Sequence, residues 1–164
     1  MVSKTSMDTQ ALTIDMAGAE YGIVTDSIKE IARIVETTPV PEAPSFVVGA
    51  IDYRGDLVVV VDLAARLALG KAKADLSSYI VIVERDGRRV GLLVDTVRDV
   101  IILDADAIMA APANLPLPEK LLAGAYEADD RLLLLLDIAP VMDFSDADLL
   151  KKLKKQKKQK KVKP

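Results

Sequence analysis

Residues 49–64 read GAIDYRGDLVVVVDLA, and residues 124–139 read GAYEADDRLLLLLDIA. Each block begins Gly-Ala and passes through a polar turn into five unbroken aliphatic residues. Each then closes with Asp, one aliphatic residue and Ala. A carboxylate at the end of an aliphatic strand is common on its own, because it stops a strand or caps a helix. A second pair, however, accompanies the first. YGIVTDSIKEIA (21–32) lies without gaps on VGLLVDTVRDVI (90–101). Gly22 meets Gly91, Asp26 meets Asp95, Ser27 meets Thr96, Ile28 meets Val97, Lys29 meets Arg98, Glu30 meets Asp99 and Ile31 meets Val100. The offset is 69 in this pair and 75 in the other, so only the intervening loop differs in length. Two ordered matches at nearly one offset imply an internal duplication, with related half-domains over about 20–70 and 78–140. Neither half is large enough to be comfortably stable alone. The two are expected to pack together across an apolar seam.

The segments around these blocks read as short strands. Leu12, Ile14 and Met16 alternate, Ala17-Gly18-Ala19 turns, and Tyr21–Val24 returns. Ser78–Glu84 and Arg88–Val94 flank Asp86-Gly87, a strong hairpin signal because a type I′ turn needs positive φ. Asp129-Asp130 turns the last hairpin. Residues 37–45 and 112–120 are broken by prolines into irregular connections, and 70–78 form a polar linker. From Ile138 a helix is expected to run toward the C-terminal tail. Short strands at close spacing, with Gly, Pro and Asp in the turns, indicate small barrels or a sandwich rather than a βαβ sheet. An aliphatic run without polar alternation must be covered on both faces. In a small barrel one face looks inward and the other onto a neighbour.

Composition narrows the chemistry. The 164 residues contain no Cys and no His, which excludes disulfides, thiolates, phospho-histidine and the commonest general base and metal ligand. The eight Gly are scattered, with no phosphate-cradling loop and no G-x-S-x-G. Asp62 and Asp137, which end the twin aliphatic runs, read as twin caps rather than an acid–base pair or a Mg²⁺ site. No catalytic residue, metal or cofactor is expected. The first ten residues read as a flexible leader without a secretory core. Residues 151–164, KKLKKQKKQKKVKP, carry nine Lys and no acid. Taking these from the chain's 22 basic residues leaves 13 against 25 acidic ones, so an acidic body bears a basic tail.

GAIDYRGDLVVVVDLAARLAL, together with EYGIVTDSIKEI, the Pro-rich 39–44 and RVGLLVDTVRDVI, resembles the bacterial chemotaxis coupling proteins of the CheW type. The likeness covers about residues 11–142. It follows the family's order of a Gly-hydrophobic strand, an Asn-Leu-Arg-Gly turn, an aliphatic strand, Asp-Leu and a short helix. Here the turn's Asn is Asp52 and its Leu is Tyr53. Val59 stands for a Pro of the following strand, and Ala64 and Ala65 for basic residues. The resemblance implies a mostly β domain over 11–145, two interlocked five-stranded, SH3-like barrels with short helices. Residues 11–17 are then a candidate for crossing to the second barrel, and 146–164 form a helical start and Lys-rich tail.

The resemblance also implies a non-enzymatic scaffold that couples chemoreceptors to a CheA-type histidine kinase, in the cytoplasm at membrane-associated receptor arrays. Its expected partners are chemoreceptor tip helices and the kinase regulatory domain, with like-with-like ring contacts and no small-molecule substrate. It carries a receptor-binding groove onto Ile28, Ile80, Val97 and Val100. It carries the kinase-side turn motif onto Glu30, Asp52, Arg54 and Gly55. Read from the residues alone, Ile28, Val97 and Val100 fit ordinary core as well as a shallow apolar stripe, and Arg54 fits a solvated turn as well as a docking residue. Two rival functions stand beside the scaffold. One is a CheW-like localisation adaptor that recruits arrays without activating kinase. The other is attachment of nucleic acid or an anionic membrane surface through tail 151–164.

Overall fold

The computed structural model describes residues 8–71, 75 and 77–144. Ten strands follow one another: β1 (Asp8–Met16), β2 (Ala19–Val24), β3 (Ile28–Arg33), β4 (Val47–Tyr53), β5 (Asp56–Asp62), β6 (Tyr79–Arg85), β7 (Arg88–Val94), β8 (Thr96–Asp104), β9 (Leu122–Ala128) and β10 (Arg131–Leu136). One-turn helices, α1 (Leu63–Arg66) and α2 (Ile138–Val141), follow β5 and β10. The helix expected from Ile138 onward is thus four residues long, and the Lys-rich tail lies outside the described residues. The N-terminal strand takes in residues 8–10, which the sequence reading gave to the leader; Thr9 and Gln10 pair with Leu103 and Ile102.

The four tight hairpins share one chemistry. Their two-residue turns, Ala17-Gly18, Arg54-Gly55, Asp86-Gly87 and Asp129-Asp130, all have positive φ at both central positions. That is the type I′ twist which suits right-twisted strands.

The strands form two five-stranded sheets. Their orders are β8-β1-β2-β10-β9 and β3-β6-β7-β5-β4. Replacing each strand by its repeat equivalent (β1 for β6, β2 for β7, β8 for β3, β9 for β4, β10 for β5) converts one order into the other. Even the single parallel pairing recurs, β10 on β2 and β5 on β7. The duplication is therefore structural as well as textual.

The repeats and the sheets nevertheless do not coincide. The first repeat leaves β2 in the sheet of β8–β10, and the second leaves β6 and β7 in the sheet of β3–β5. Residues 20–70 and 78–140 are thus units of sequence but not units of packing. β1 pairs with both β2 and β8, inside the second sheet. The crossing takes place at the β2–β3 and β7–β8 junctions, where only residues 25–27 and Asp95 intervene and the chain passes from one sheet to the other.

Each sheet closes on itself through the chain beyond its edge strand. Thr38, after β3, bridges to Ala50 of β4, and Met109, after β8, bridges to Ala125 of β9. The barrel of β3–β7 is called here the first barrel, and that of β1, β2 and β8–β10 the second.

Closure depends on two glycines. A Cβ on Gly49 would lie 2.7 Å from the Thr38 carbonyl oxygen, and one on Gly124 would lie 2.7 Å from that of Met109. Backbone must approach backbone there, and only Gly leaves room.

The aliphatic runs are covered on both faces. In β5, Val58 and Val60 point into the first barrel's own core, while Val59 and Val61 join the core shared by the two barrels. In β10, Leu133 and Leu135 fill the second barrel, while Leu134 and Leu136 reach the shared core. β1 and β2 supply Leu12, Ile14, Met16, Tyr21 and Ile23 to the same seam. Burial raises the Tyr21 phenol above its ordinary pKa.

A polar clasp borders this seam. Arg66 donates to the carbonyls of Val141 (3.0 Å) and Pro140 (2.8 Å), and Arg88 donates to those of Met142 and Phe144. The guanidiniums of Arg66 and Arg88 also stack over Phe46 and Phe144, whose rings meet edge-to-face at 5.3 Å.

The twin caps diverge. Asp62 accepts from Ala65 N at 3.2 Å, but Asp137 makes no cap bond. The residue equivalent to Ala65 is Pro140, which has no N–H to give.

Gly49→Ala and Gly124→Ala should each destabilise the domain by about 1–3 kcal/mol, as overpacking against unyielding backbone does. Urea denaturation of each variant would measure this. A cost near zero would show that the closing segments shift freely.

Candidate functional site

A β-bulge decides what the edge strand β3 presents. Ile28 pairs with Val83 and Glu30 with Ile82, so two residues of β3 advance against one of β6. The bulge switches the alternation. Ile28 and Ile31 fall on the seam face, beside Val83 and Val81, and Glu30 falls on the face of the first barrel's own core, beside Ile82. The same irregularity recurs in β8, where Val97 pairs with Ile14 and Val100 with Leu12. Val97, Val100 and Ile102 therefore share the seam face of β8. Val97 is partly buried against the shared core, Val100 is 52% exposed and Ile102 is 66% exposed. On β3 the equivalent row is Ile28, Ile31 and Arg33. It ends in a charge, and Arg33 stacks over Tyr79.

Of the four groove candidates, then, Ile28 and Val97 border the seam and Val100 opens onto solvent. Ile80 does not join them. It is 0% exposed and belongs to the first barrel's own interior with Val60, Ile82 and Leu93. It cannot touch a partner, and its assignment to the groove is corrected here. The sequence reading also left out Ile31 and Ile102, which complete the two rows. Ile31 was within reach, since it aligns with Val100 in the ungapped repeat.

The four turn-motif residues come together at the tip of the β4–β5 hairpin. Asp52 Oδ1 accepts from Gly55 N at 2.9 Å and closes the turn. Arg54 sits at φ +53°, uncommon for a residue with a Cβ, and its side chain is 73% exposed. Its Nη2 donates to Glu30 Oε1 at 3.0 Å, and the Tyr53 hydroxyl donates to the same oxygen at 3.2 Å. Beside them Arg89 donates through Nε to Glu84 at 2.7 Å, Lys29 approaches Glu84 at 3.3 Å, and Asp56 stands 4.0 Å from Arg89. The guanidiniums of Arg54 and Arg89 both lie over the Tyr53 ring, at 5.4 and 5.6 Å. The Glu30 hydrogen bond raises the Arg54 pKa further above its already high value. The Arg89 hydrogen bond, with lesser help from Lys29, lowers that of Glu84.

Nothing in this arrangement resembles a reaction centre. Among the described residues no group of three or more acids could hold a metal ion, and no helix is long and apolar enough to cross a membrane. What the geometry offers is two surfaces of different character: an apolar row on β8 and a hairpin tip of aromatic and paired charged residues on the first barrel.

Residues 10–145 match the family model described as the CheW-like domain. This chain belongs to the CheW-like family. Among its relatives is the chemotaxis protein CheW of Klebsiella aerogenes, 30% identical over 145 residues, which make up 86% of this chain and 87% of that protein. Another is the chemotaxis protein CheW of Bacillus subtilis, 29% identical over 127 residues, 77% of this chain and 81% of that one. The crystal structure of the scaffolding protein TtCheW from Thermoanaerobacter tengcongensis superposes with a TM-score of 0.79. The two are 28% identical in sequence, and the match covers 88% of this chain and 94% of that one. The CheW-like fold thus accounts for the two interlocked barrels.

Ile80→Ala should cost about 2–5 kcal/mol of stability, whereas Val100→Ala should stay within about 0.5 kcal/mol; thermal and chemical denaturation would separate them. Glu84 gives a pH test. Its folded-state pKa lies below the ordinary 4.5. Its carboxylate therefore stabilises the fold above that value, and the contribution is lost as pH falls through the lowered one. Glu84→Gln should flatten the stability–pH curve as pH falls below 4.5. An unchanged curve would mean that the pair with Arg89 does not outlast its exposure to solvent.

Proposed function

We propose that this chain is a chemotaxis scaffold that couples chemoreceptors to a CheA-type histidine kinase, and that it does so through two unlike faces. Family membership and the likeness to a scaffolding protein support the general role. One observation carries the division of labour. In a duplicated fold every surface exists twice, yet here the two copies of each face differ. The row Val97, Val100 and Ile102 has no apolar counterpart at its outer end, where Arg33 stands. The tip of Tyr53 and Arg54 has Ala128 and Asp129 as its counterparts. A connector needs two different ends, and the two halves have become different.

The apolar row on β8 takes a receptor helix. A helix lays down apolar residues at i, i+3, i+4 and i+7, and such a stripe fits a shallow apolar strand edge beside a seam. The hairpin tip meets the kinase regulatory domain. No covalent step is involved. Modest contacts, repeated across an array that sits in the cytoplasm at the receptors, add through effective concentration.

Val100→Asp should lower receptor capture at least about tenfold while leaving the melting temperature within a few degrees, since a half-exposed position tolerates charge. Arg54→Ala should reduce receptor-dependent kinase autophosphorylation more than receptor capture. Equal loss of both in Arg54→Ala, or full capture by Val100→Asp, would sink the two-face division. Unchanged autophosphorylation when wild-type protein is added would mark the chain as an adaptor for localisation alone.

A further inference from the structure

The duplication supplies an internal control: what both halves share serves the fold, and what one half keeps alone serves something else. The ion pair Lys29–Glu84 has an equivalent in Arg98–Asp15, at 2.6 Å. Arg89–Asp56 also has an equivalent with its charges exchanged, Glu20–Arg131 at 3.1 Å. These pairs tie neighbouring strands in both barrels and need no further explanation.

The hydrogen-bonded set Glu30, Tyr53 and Arg54 has no equivalent. Asp99, the counterpart of Glu30, bonds the buried hydroxyl of Thr13 at 2.6 Å instead. Ala128 replaces the phenol, and Asp129 replaces the guanidinium. Nor does stability account for the set, because an exposed ion pair contributes little and Arg54 carries the added cost of positive φ.

Tyr53 links the set. Its ring packs partly buried against the first barrel's own core, so its position is fixed by burial. From there its hydroxyl holds Glu30 Oε1, and its face lies beneath the Arg54 guanidinium. Arg89, itself held by Glu84, lies over the same ring. Arg54 spends Nη2 on Glu30 and also interacts with the Tyr53 side chain, and its side chain stays exposed with further donors in its fork. A guanidinium held over a ring with part of its donor fork facing solvent matches a carboxylate.

We propose that Tyr53 is a positioning residue that holds Arg54 ready to receive a carboxylate of the docked kinase regulatory domain. This rests on the two-face reading above and adds to it the chemistry of the partner's contact and the residue that preorganises it. Preorganisation matters because a free arginine loses rotamer freedom on binding, and one already held loses less.

The test uses the full chain and Tyr53→Phe, Tyr53→Leu and Val100→Asp variants. Calorimetry measures binding of the purified regulatory domain, and NMR follows the Arg54 Nε–Hε signal without partner. Tyr53→Leu should weaken binding about tenfold and Tyr53→Phe by less, because the ring persists without its hydroxyl. Val100→Asp should bind as wild type does. In the absence of partner the Arg54 signal should broaden and exchange faster in Tyr53→Leu. Binding within twofold of wild type in both Tyr53 variants, or an unchanged Arg54 signal in Tyr53→Leu, overturns the proposal. If wild type fails to bind the regulatory domain although the Arg54 signal responds, the kinase-side reading falls and the positioning role stands.

Discussion

The structure depends on aliphatic strands that are apolar on both faces. A single sheet can bury only one side of Leu57–Val61 or Leu132–Leu136. Curling each sheet into a barrel buries the inner side, and the outer side still needs cover. Packing the two barrels back to back supplies it, through Val59, Val61, Leu134 and Leu136 with the β1 and β2 residues around them. Three cores result: one within each barrel and one between them. The exposed apolar rows follow from the same constraint, because the edge strands β3 and β8 run off the end of the shared core and leave their outer residues uncovered.

Much of this was legible in the sequence, for reasons that can be named. Hairpins announced themselves at Asp86-Gly87 and Asp129-Asp130, since positive φ restricts the residues that serve there. The duplication was visible because it preserved the spacing of Gly, Asp and aliphatic runs. The exchange of strands between sheets was not visible. Hydrophobic pattern tells a strand that it is buried but not which strand lies beside it. Ile80 was misplaced for a related reason: in Tyr79–Val83 every residue is apolar, so nothing distinguishes the barrel face from the seam face. Ile31 and Ile102 escaped because the bulges after Ile28 and Val97 shift the alternation, and a bulge leaves no mark in composition. Asp137 failed to cap for a cause that was in plain view, the Pro at 140.

Internal repetition also sorts polar residues without recourse to relatives. Ion pairs that recur at equivalent sites, even with charges exchanged as in Arg89–Asp56 and Glu20–Arg131, are ties between strands. The Tyr53 set stands apart because one half has it and the other has replaced all three members. Gly22 and Gly91 belong with the ties. A Cβ at either would press on side chains of the barrel interior, Leu135 for one and Ile80 for the other, at 2.9 Å.

The crossed topology has one more consequence. The first barrel is a continuous stretch, residues 28–94, whereas the second joins the chain's opening strands to its last three. The first barrel is thus nested inside the second. As the polypeptide emerges from the ribosome, β1 and β2 must wait for β8 and β10 before they find their neighbours, with their apolar faces unmet in the meantime. Pairings of such sequence separation are slow to form, and the outer barrel, not the inner one, carries the fold's longest-range contacts.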